Sequence, residues 1–507
     1  MTRNKMSVTR RRFNKGASAS IIAVASDWSG AAVAAAAPKR GGTLRVARTE
    51  AIDGFKLDGQ ITNATYQVSQ AVMEPLLRFN PDGRSVDPGL AESYSMAADG
   101  RSITLRLAKE VKFSDGRPVT PADVTFSVDL WKKGPNYGPI YSVIKSVTTL
   151  DDRTVRFDLA SPNTSLPAFL TWSIAGIVPK DFDGRSEQDF WLQPIGAGPF
   201  MVKHWQAAGD IAMVRNPHYY RPGLPYVDTL ISSLPDVNQQ VLQFRSREVD
   251  IVEEISALYA PRFPGNRRIE SPTHFTDVLL FNTKYAPFND VRVRRAMALA
   301  IDYSAIANGL YKGFAEYPTG FLPPNIGMWA PPDKPYFRQN LVAARKLVAV
   351  TGLANKTFEL TYPVGFGLIS QIVQRSLQMI GVQVKLVPTD TGTFVSNTYS
   401  GKFQLAIWSY NAISPSIADP VSFILSTNYF FTGYPPQHLQ AALQTFFAGK
   451  TVAEKRAAVV RMQNQGEEEI PFVALDHYHI TTAVQAGIHG VRPSPWGSYY
   501  YDGVWKE

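Results

Sequence analysis

Between Thr357 and Leu386 the chain passes from strand to helix and back to strand. Thr357 to Tyr362 reads as the first strand, and Ile369, Ile372, Val373, Ser376, Leu377 and Ile380 follow at helical spacing. Gly381 supplies the stop, and Val382, Val384 and Leu386 alternate in the second strand. A helix between two strands is the crossover that parallel pairing needs, so the chain is predicted to be α/β. Phe403 to Trp408 supplies another strand, running into Ser409-Tyr410-Asn411.

The first half carries different units. Thr43-Leu44-Arg45-Val46-Ala47 alternates behind the pair Gly41-Gly42, and Ser102–Leu107 and Val155–Leu159 alternate likewise. Thr120 is placed to cap a helix with Pro121 at its first position and Asp123 near the positive end of its dipole. Val124, Val128 and Trp131 then share one face, as do Val293, Ala296, Met297 and Ala300 in a helix capped by Asn289 or Asp290. The 507 residues make about three structural units by length, with no internal repeat.

A net charge of +9 invites a nucleic-acid or membrane-surface partner until it is located. Residues 1–37 hold Arg3, Lys5, Arg10, Arg11, Arg12 and Lys15 against the single acid Asp27, so five of the nine charges lie there. The rest has no special claim on polyanions, and no nucleic-acid partner is expected. Thr9-Arg10-Arg11-Arg12-Phe13-Asn14-Lys15 is a basic region followed by small and weakly apolar residues and by Ala34 to Ala37, which offer cleavage positions. The paired arginines resemble a twin-arginine export signal, and a general secretory signal is the other reading. Both export the protein. With no cysteine, the chain has no disulfide, no thiolate metal site and no lipid-modified cysteine, so a soluble periplasmic protein is expected.

Templates for catalysis fail in turn. The chain has no Gly-x-Ser-x-Gly elbow, no His-Glu-x-x-His and no phosphate-cradling or dinucleotide glycine run. Of seven histidines only His477 and His479 could share a strand face and a metal, and two ligands do not complete a site. No catalytic residue, metal or cofactor is assigned. Aromatic residues speak louder: nine Trp, 22 Tyr and 28 Phe, several in turn-rich segments around Tyr137, Tyr141, Trp408, Tyr410 and Trp496. Flat side chains with a polar edge suit a cleft closing over an organic solute, while packing is the competing role for each.

The order of segments resembles the periplasmic solute-binding proteins of extracellular family 5, which includes dipeptide, oligopeptide and nickel binders. The resemblance rests on Gly41–Ala47, Glu74-Pro75-Leu76-Leu77, Pro88–Ser93, Val111–Val124, Gly198-Pro199-Phe200, Asn216–Tyr220, Phe281-Asn282-Thr283 and Pro287–Ala296. It implies a two-lobed type II fold with a hinged cleft and an extra subdomain in lobe I. It also implies a monomer that docks on an inner-membrane ABC permease. The implied divisions are an export signal over 1–37, lobe I over 38–74 and 196–276 with its subdomain at 75–195, lobe II over 277–482, and a return to lobe I over 483–507. Capture without turnover is expected, and an exported hydrolase with a similar cleft is the rival of another class.

Two ligand-reading positions depart from the dipeptide binders that the chain resembles. Those relatives place an aspartate after the Phe403–Trp408 strand for the ligand's ammonium, where this chain has Asn411, with Asp419 further on beside Pro420. They place an arginine after the Tyr362-Pro363-Val364 strand end for the carboxylate, where this chain has Phe366. A buried ion without a counter-charge costs several kcal/mol, so a zwitterionic dipeptide is disfavoured. A longer peptide bound through its backbone, or a neutral polyhydroxylated or opine-like solute stacked on aromatics, is favoured, with a sugar conjugate, or a metal chelate held by His477 and His479, as alternatives. Thr65, Tyr66, Tyr137, Tyr141, Phe366, Trp408, Tyr410, Asn411 and Trp496 are the expected ligand contacts.

Overall fold

The structure, a computed structural model, describes residues 37–507 except 53, 58–61, 81–84, 135–137, 325–326, 412–415, 417–420, 422–436 and 495–498. Tyr137, Asp419 and Trp496 therefore lie outside the described residues, as does the export segment to residue 36. Pro38–Glu507 forms one compact unit.

One sheet runs through both lobes. On one side lie the parallel strands Gln383–Thr389, Thr357–Pro363 and Leu405–Asn411, in that order. On the other lie Ile251–Ile255, Thr43–Ala47, Thr229–Ser233, Ile211–Arg215 and Phe200–Trp205. The sides are joined by two long antiparallel strands, Arg268–Phe281 and His477–Val484. The first pairs with the second from Arg268 to Ser271, loses register before Phe275, and then pairs with Leu405–Asn411 from Phe275 to Phe281. A register break where two crossing strands leave one lobe for the other is the geometry of a hinge.

The predicted βαβ unit is present: Thr357–Pro363 and Gln383–Thr389 pair in parallel across the helix Gly367–Gln378, and Gly381 adopts φ +83°. That helix buries Ile369, Val373 and Leu377 against Leu360, Val382 and Val384. A separate four-stranded antiparallel sheet orders Ala91–Met96, Ser102–Leu107, Thr154–Leu159 and Ile144–Thr149. The helix Pro121–Lys133 joins its core through Val124, Val128 and Trp131, all fully buried. Thr120 and Asp123 cap that helix reciprocally, and Asp123 also accepts from the Lys180 amide at 2.8 Å, pinning the next segment. The second capped helix, Val291–Ala300, uses Asp290. Among the described residues no helix is long and apolar enough to cross a membrane.

Candidate functional site

Carboxyl ends of parallel strands are where open α/β sheets present ligand-binding side chains. Here Thr357–Pro363 ends next to Phe366, and Leu405–Asn411 ends at the hinge with Ser409, Tyr410 and Asn411. Phe366 lies just before the helix Gly367–Gln378, after Gly365 at φ +104°, a conformation that favours glycine. That turn sets its ring against Trp408, with centroids 5.9 Å apart and 28° between planes. Trp408 stacks in turn on Phe394 at 5.0 Å, so three rings form a continuous shelf in which Phe366 and Trp408 are partly exposed.

Successive residues of a strand face opposite ways, so Ser409 leaves Trp408 and turns to the other face. There it lies opposite Asp277 in register. Asp277 is buried, interacts with Ser409, and accepts 2.5 Å from the Tyr311 hydroxyl. Asp476 is fully buried beside it, with Oδ1 3.4 Å from the Asp277 amide. Burial raises both carboxyls, and the neighbouring charge of Asp277 raises Asp476 further. The Tyr478 hydroxyl, 3.2 Å from Ser409 Oγ, closes this face toward the hinge. Its ring packs on Phe275 at 5.2 Å and Tyr311 at 6.0 Å.

On the far side of the two long strands, Ile251–Ile255 contributes Glu254. Its backbone sits at φ +45°, a strained setting for a side-chain-bearing residue. Asn63 Nδ2, at the start of the helix Asn63–Val72, donates to Glu254 Oε1 at 3.1 Å, and Gln67 one turn on also bonds this carboxyl. Burial, then the charges of Glu50 and Glu253, hold Glu254 well above the ordinary carboxylate range. Its neighbour Glu253 is raised to about 8 by burial, against the pull of Arg48, and accepts from the Tyr501 hydroxyl. Arg48 is itself committed to backbone carbonyls, Ser232 O at 2.8 Å and Gly209 O at 2.6 Å among them.

The expected contacts divide on this frame. Phe366 and Trp408 are brought together, with the backbone of Asn411 at the same strand end, paired opposite Phe275. Tyr410 is buried on the Trp408 face, its hydroxyl 3.3 Å from Phe321 O and its ring edge-on to Phe472. Thr65 and Tyr66 are buried in the first turn of the helix Asn63–Val72, and their neighbour Asn63 is the residue that reaches Glu254. Tyr141 occupies a packing position, fully buried against Trp131 and donating to Phe169 O at 2.9 Å. His477 Nδ1 lies 2.8 Å from Thr276 Oγ1, and burial pushes the ring down to about 3, so it stays neutral. His479 Nε2 instead lies 3.1 Å from Glu316 Oε1, so the two histidines serve different partners. Among the described residues no three ligands gather around a metal position.

Asn63, Gln67, Glu254, Asp277, Asp476 and Tyr478 were not singled out by the sequence reading. A usable signal existed for two of them. Asp277 and Asp476 are lone acids within apolar strand sequence, Val278-Leu279-Leu280-Phe281 on one side and Phe472-Val473-Ala474-Leu475 on the other. An acid in such a run must be hydrogen-bonded, paired or functional.

Comparison with known proteins agrees with this architecture. Residues 85–431 match the family model described as bacterial extracellular solute-binding proteins, family 5 middle. The dipeptide-binding protein of Escherichia coli K12 is 24% identical over 506 residues, covering 89% of this chain and 92% of its own. Among solved structures, the oligopeptide-binding protein AppA of Bacillus subtilis in complex with a nonapeptide superposes with a TM-score of 0.82. It has 21% identity and covers 93% of this chain and all of its own. The binding protein AgaA of A. tumefaciens R10 in complex with agropinic acid gives 0.81 at 24% identity, over 92% and 99%. The fold is the two-lobed type II α/β fold, and the chain belongs to the family 5 bacterial extracellular solute-binding proteins.

Proposed function

We propose that this protein is the solute-binding component of an ABC importer, which captures a peptide or peptide-like organic solute by hinge closure and delivers it to a permease. The observation that carries the reading is the pair of crossing strands. Their register break lies beside Tyr478, which pairs with Phe275 and whose hydroxyl meets Ser409, itself opposite Asp277. A solute touching both sides holds the closed form by contacts that the open form lacks. Membership in a family of solute-binding proteins, rather than enzymes, supports binding without turnover.

Export by a twin-arginine signal over 1–37 to the periplasm belongs to this reading, as do the monomeric state and the absence of a lipid anchor. So do a subdomain at 75–195, lobe II at 277–482 and a return to lobe I at 483–507. Phe366, Trp408 and Asn411 are assigned to the ligand with Thr65, Tyr66, Tyr137, Tyr410 and Trp496, while Tyr141, fully buried against Trp131, is assigned to packing. A second reading, a non-peptide solute such as an opine, is favoured by one observation. Phe366 stacks on Trp408 where the dipeptide binders resembled by this chain keep an arginine, so this position offers the ligand a ring and no guanidinium.

The test is calorimetry with a pool of di-, tri- and oligopeptides, followed by recovery of the ligand. One-to-one binding with the peptide recovered intact is expected. Cleaved peptide would make the protein a hydrolase, and no heat from any peptide would favour the second reading.

A further inference from the structure

The carboxyl ends of the three parallel strands receive no cation from their own strands or connections. Residues 357–436 contain only three lysines and arginines, Arg375, Lys385 and Lys402, and each lies toward the other end of the sheet. Lys385 is the third residue of Gln383–Thr389 and pairs with Glu359 at 2.9 Å, about 13 Å of strand away from the carboxyl end. Lys402 precedes Leu405–Asn411, and Arg375 sits in the last turn of the helix that runs back from Phe366. The segments that follow the strand ends, 364–374, 390–401 and 412–436, carry two charged residues, and both are acids, Asp390 and Asp419.

What stands there instead is apolar. The Phe366 and Trp408 rings lie 5.9 Å apart at 28°, and Trp408 and Phe394 lie 5.0 Å apart at 25°, so the three planes are close to parallel. Phe394 is buried, whereas Phe366 and Trp408 keep part of their surface open. The turn that carries Phe366 is closed by its amide on Pro363 O at 3.2 Å, and it leaves Val364 81% and Leu368 48% exposed. Open apolar side chains on both sides of a stacked ring mark a binding surface rather than a core. A carboxylate brought to it has no counter-charge once water is excluded, while a flat apolar group gains burial and ring contact.

We propose that Phe366 sets specificity at this end of the site: together with Trp408 it takes an uncharged aromatic group of the solute and turns away a terminal carboxylate. The inference rests on the solute-binding reading and narrows it. The solute end that meets these strands is aromatic and carries no free carboxylate, as in a peptide closed by an amide. Phe366 and Trp408 supply the ring area, and buried Phe394 holds the Trp408 plane in place.

The probes are three tripeptides titrated by calorimetry at pH 7.5 into the exported chain freed of endogenous solute: Ala-Ala-Phe amide, Ala-Ala-Phe with a free carboxylate, and Ala-Ala-Ala amide. The phenylalanine amide is expected to bind at least tenfold tighter than its acid and at least fivefold tighter than the alanine amide. Phe366→Arg should reverse the preference for amide over acid. Phe366→Leu should keep that preference and cut the preference for phenylalanine over alanine at least threefold. A general loss of fold lowers all three affinities together and moves neither ratio. An acid that binds the wild type within twofold of its amide, or tighter, overturns the inference and leaves solute capture standing. Unchanged ratios in either variant do the same. Binding from the peptide pool with none from the two amides also removes this subsite alone, and no binding from any peptide removes the peptide reading with it.

Discussion

Two groups of buried carboxyls sit in this molecule under opposite regimes. Glu74 and Asp502 share Arg78, whose guanidinium donates to both Asp502 oxygens at 2.7 and 3.2 Å and lies 3.6 Å from Glu74 Oε1. The Tyr219 hydroxyl adds a bond to Asp502 at 2.9 Å, and the Tyr500 ring lies 3.6 Å beneath the guanidinium. Burial alone would raise both carboxyls; Arg78 by charge and hydrogen bond holds Asp502 below its ordinary value, while burial still leaves Glu74 raised against the pull of Arg78. At the hinge, Glu254, Asp277 and Asp476 are all raised, and none has such a partner. The first group ties the carboxyl-terminal segment to the strand Leu77–Phe79 and is complete within the chain. The second is incomplete in that sense: Asp277 and Asp476 hydrogen-bond each other, Tyr311 and Ser409 meet Asp277, and Asn63 and Gln67 meet Glu254, with no arginine or lysine among them.

Breaking the completed group should have the largest effect. Arg78→Met strands two buried carboxyls and is expected to destabilise the protein by about 3–5 kcal/mol in urea unfolding at pH 7.5. A loss below about 1 kcal/mol would mean that the two regimes do not differ. Removing charge from the incomplete group should act in reverse. Asp277 is raised to about 6, so its ionisation in the folded state opposes folding. That cost is fully present above about 6 and disappears as pH falls through the unfolded value near 3.8. Asp277→Asn should therefore stabilise the ligand-free protein by about 1–3 kcal/mol at pH 8 and by little at pH 4. A uniform loss at both values would place Asp277 among the structural acids.

His477 sharpens the same contrast. Held neutral to about 3, it makes the folded state bind fewer protons than the unfolded one between there and 6.5. Its contribution is lost as pH falls through that window. His477→Gln should shift stability relative to the wild type by about 2 kcal/mol in the variant's favour between pH 8 and pH 5. An unchanged difference would mean that the ring already accepts a proton when folded. The smallest expected effect concerns the positions that differ from dipeptide binders. Asn411→Asp with Phe366→Arg should raise affinity for simple dipeptides several-fold by calorimetry, and no gain would remove those two positions from ligand reading.

Local rules made much of the fold legible. Alternation located Thr43–Ala47 and Ser102–Leu107, capping residues opened the helices at Thr120 and Asp290, and Gly381 closed the βαβ helix. These depend on neighbours within a turn or a strand. The aromatic shelf was half legible, because Phe366 and Trp408 each flank a predicted strand while Phe394 joins them only through tertiary packing. The carboxyl cluster was not legible at all. Asp277 and Asp476 are brought together from segments far apart in the chain, and Glu254 meets Asn63 and Gln67 from a helix nearly two hundred residues earlier. Tyr141 shows the converse, an aromatic in a turn-rich segment that packs against Trp131.

The most direct measurement is native mass spectrometry of the protein purified from its own periplasm, with the released solute identified before and after a long incubation. The account expects one peptide or peptide-like organic solute per chain, unaltered in mass after incubation. No bound organic solute, or one converted to a product, would contradict it.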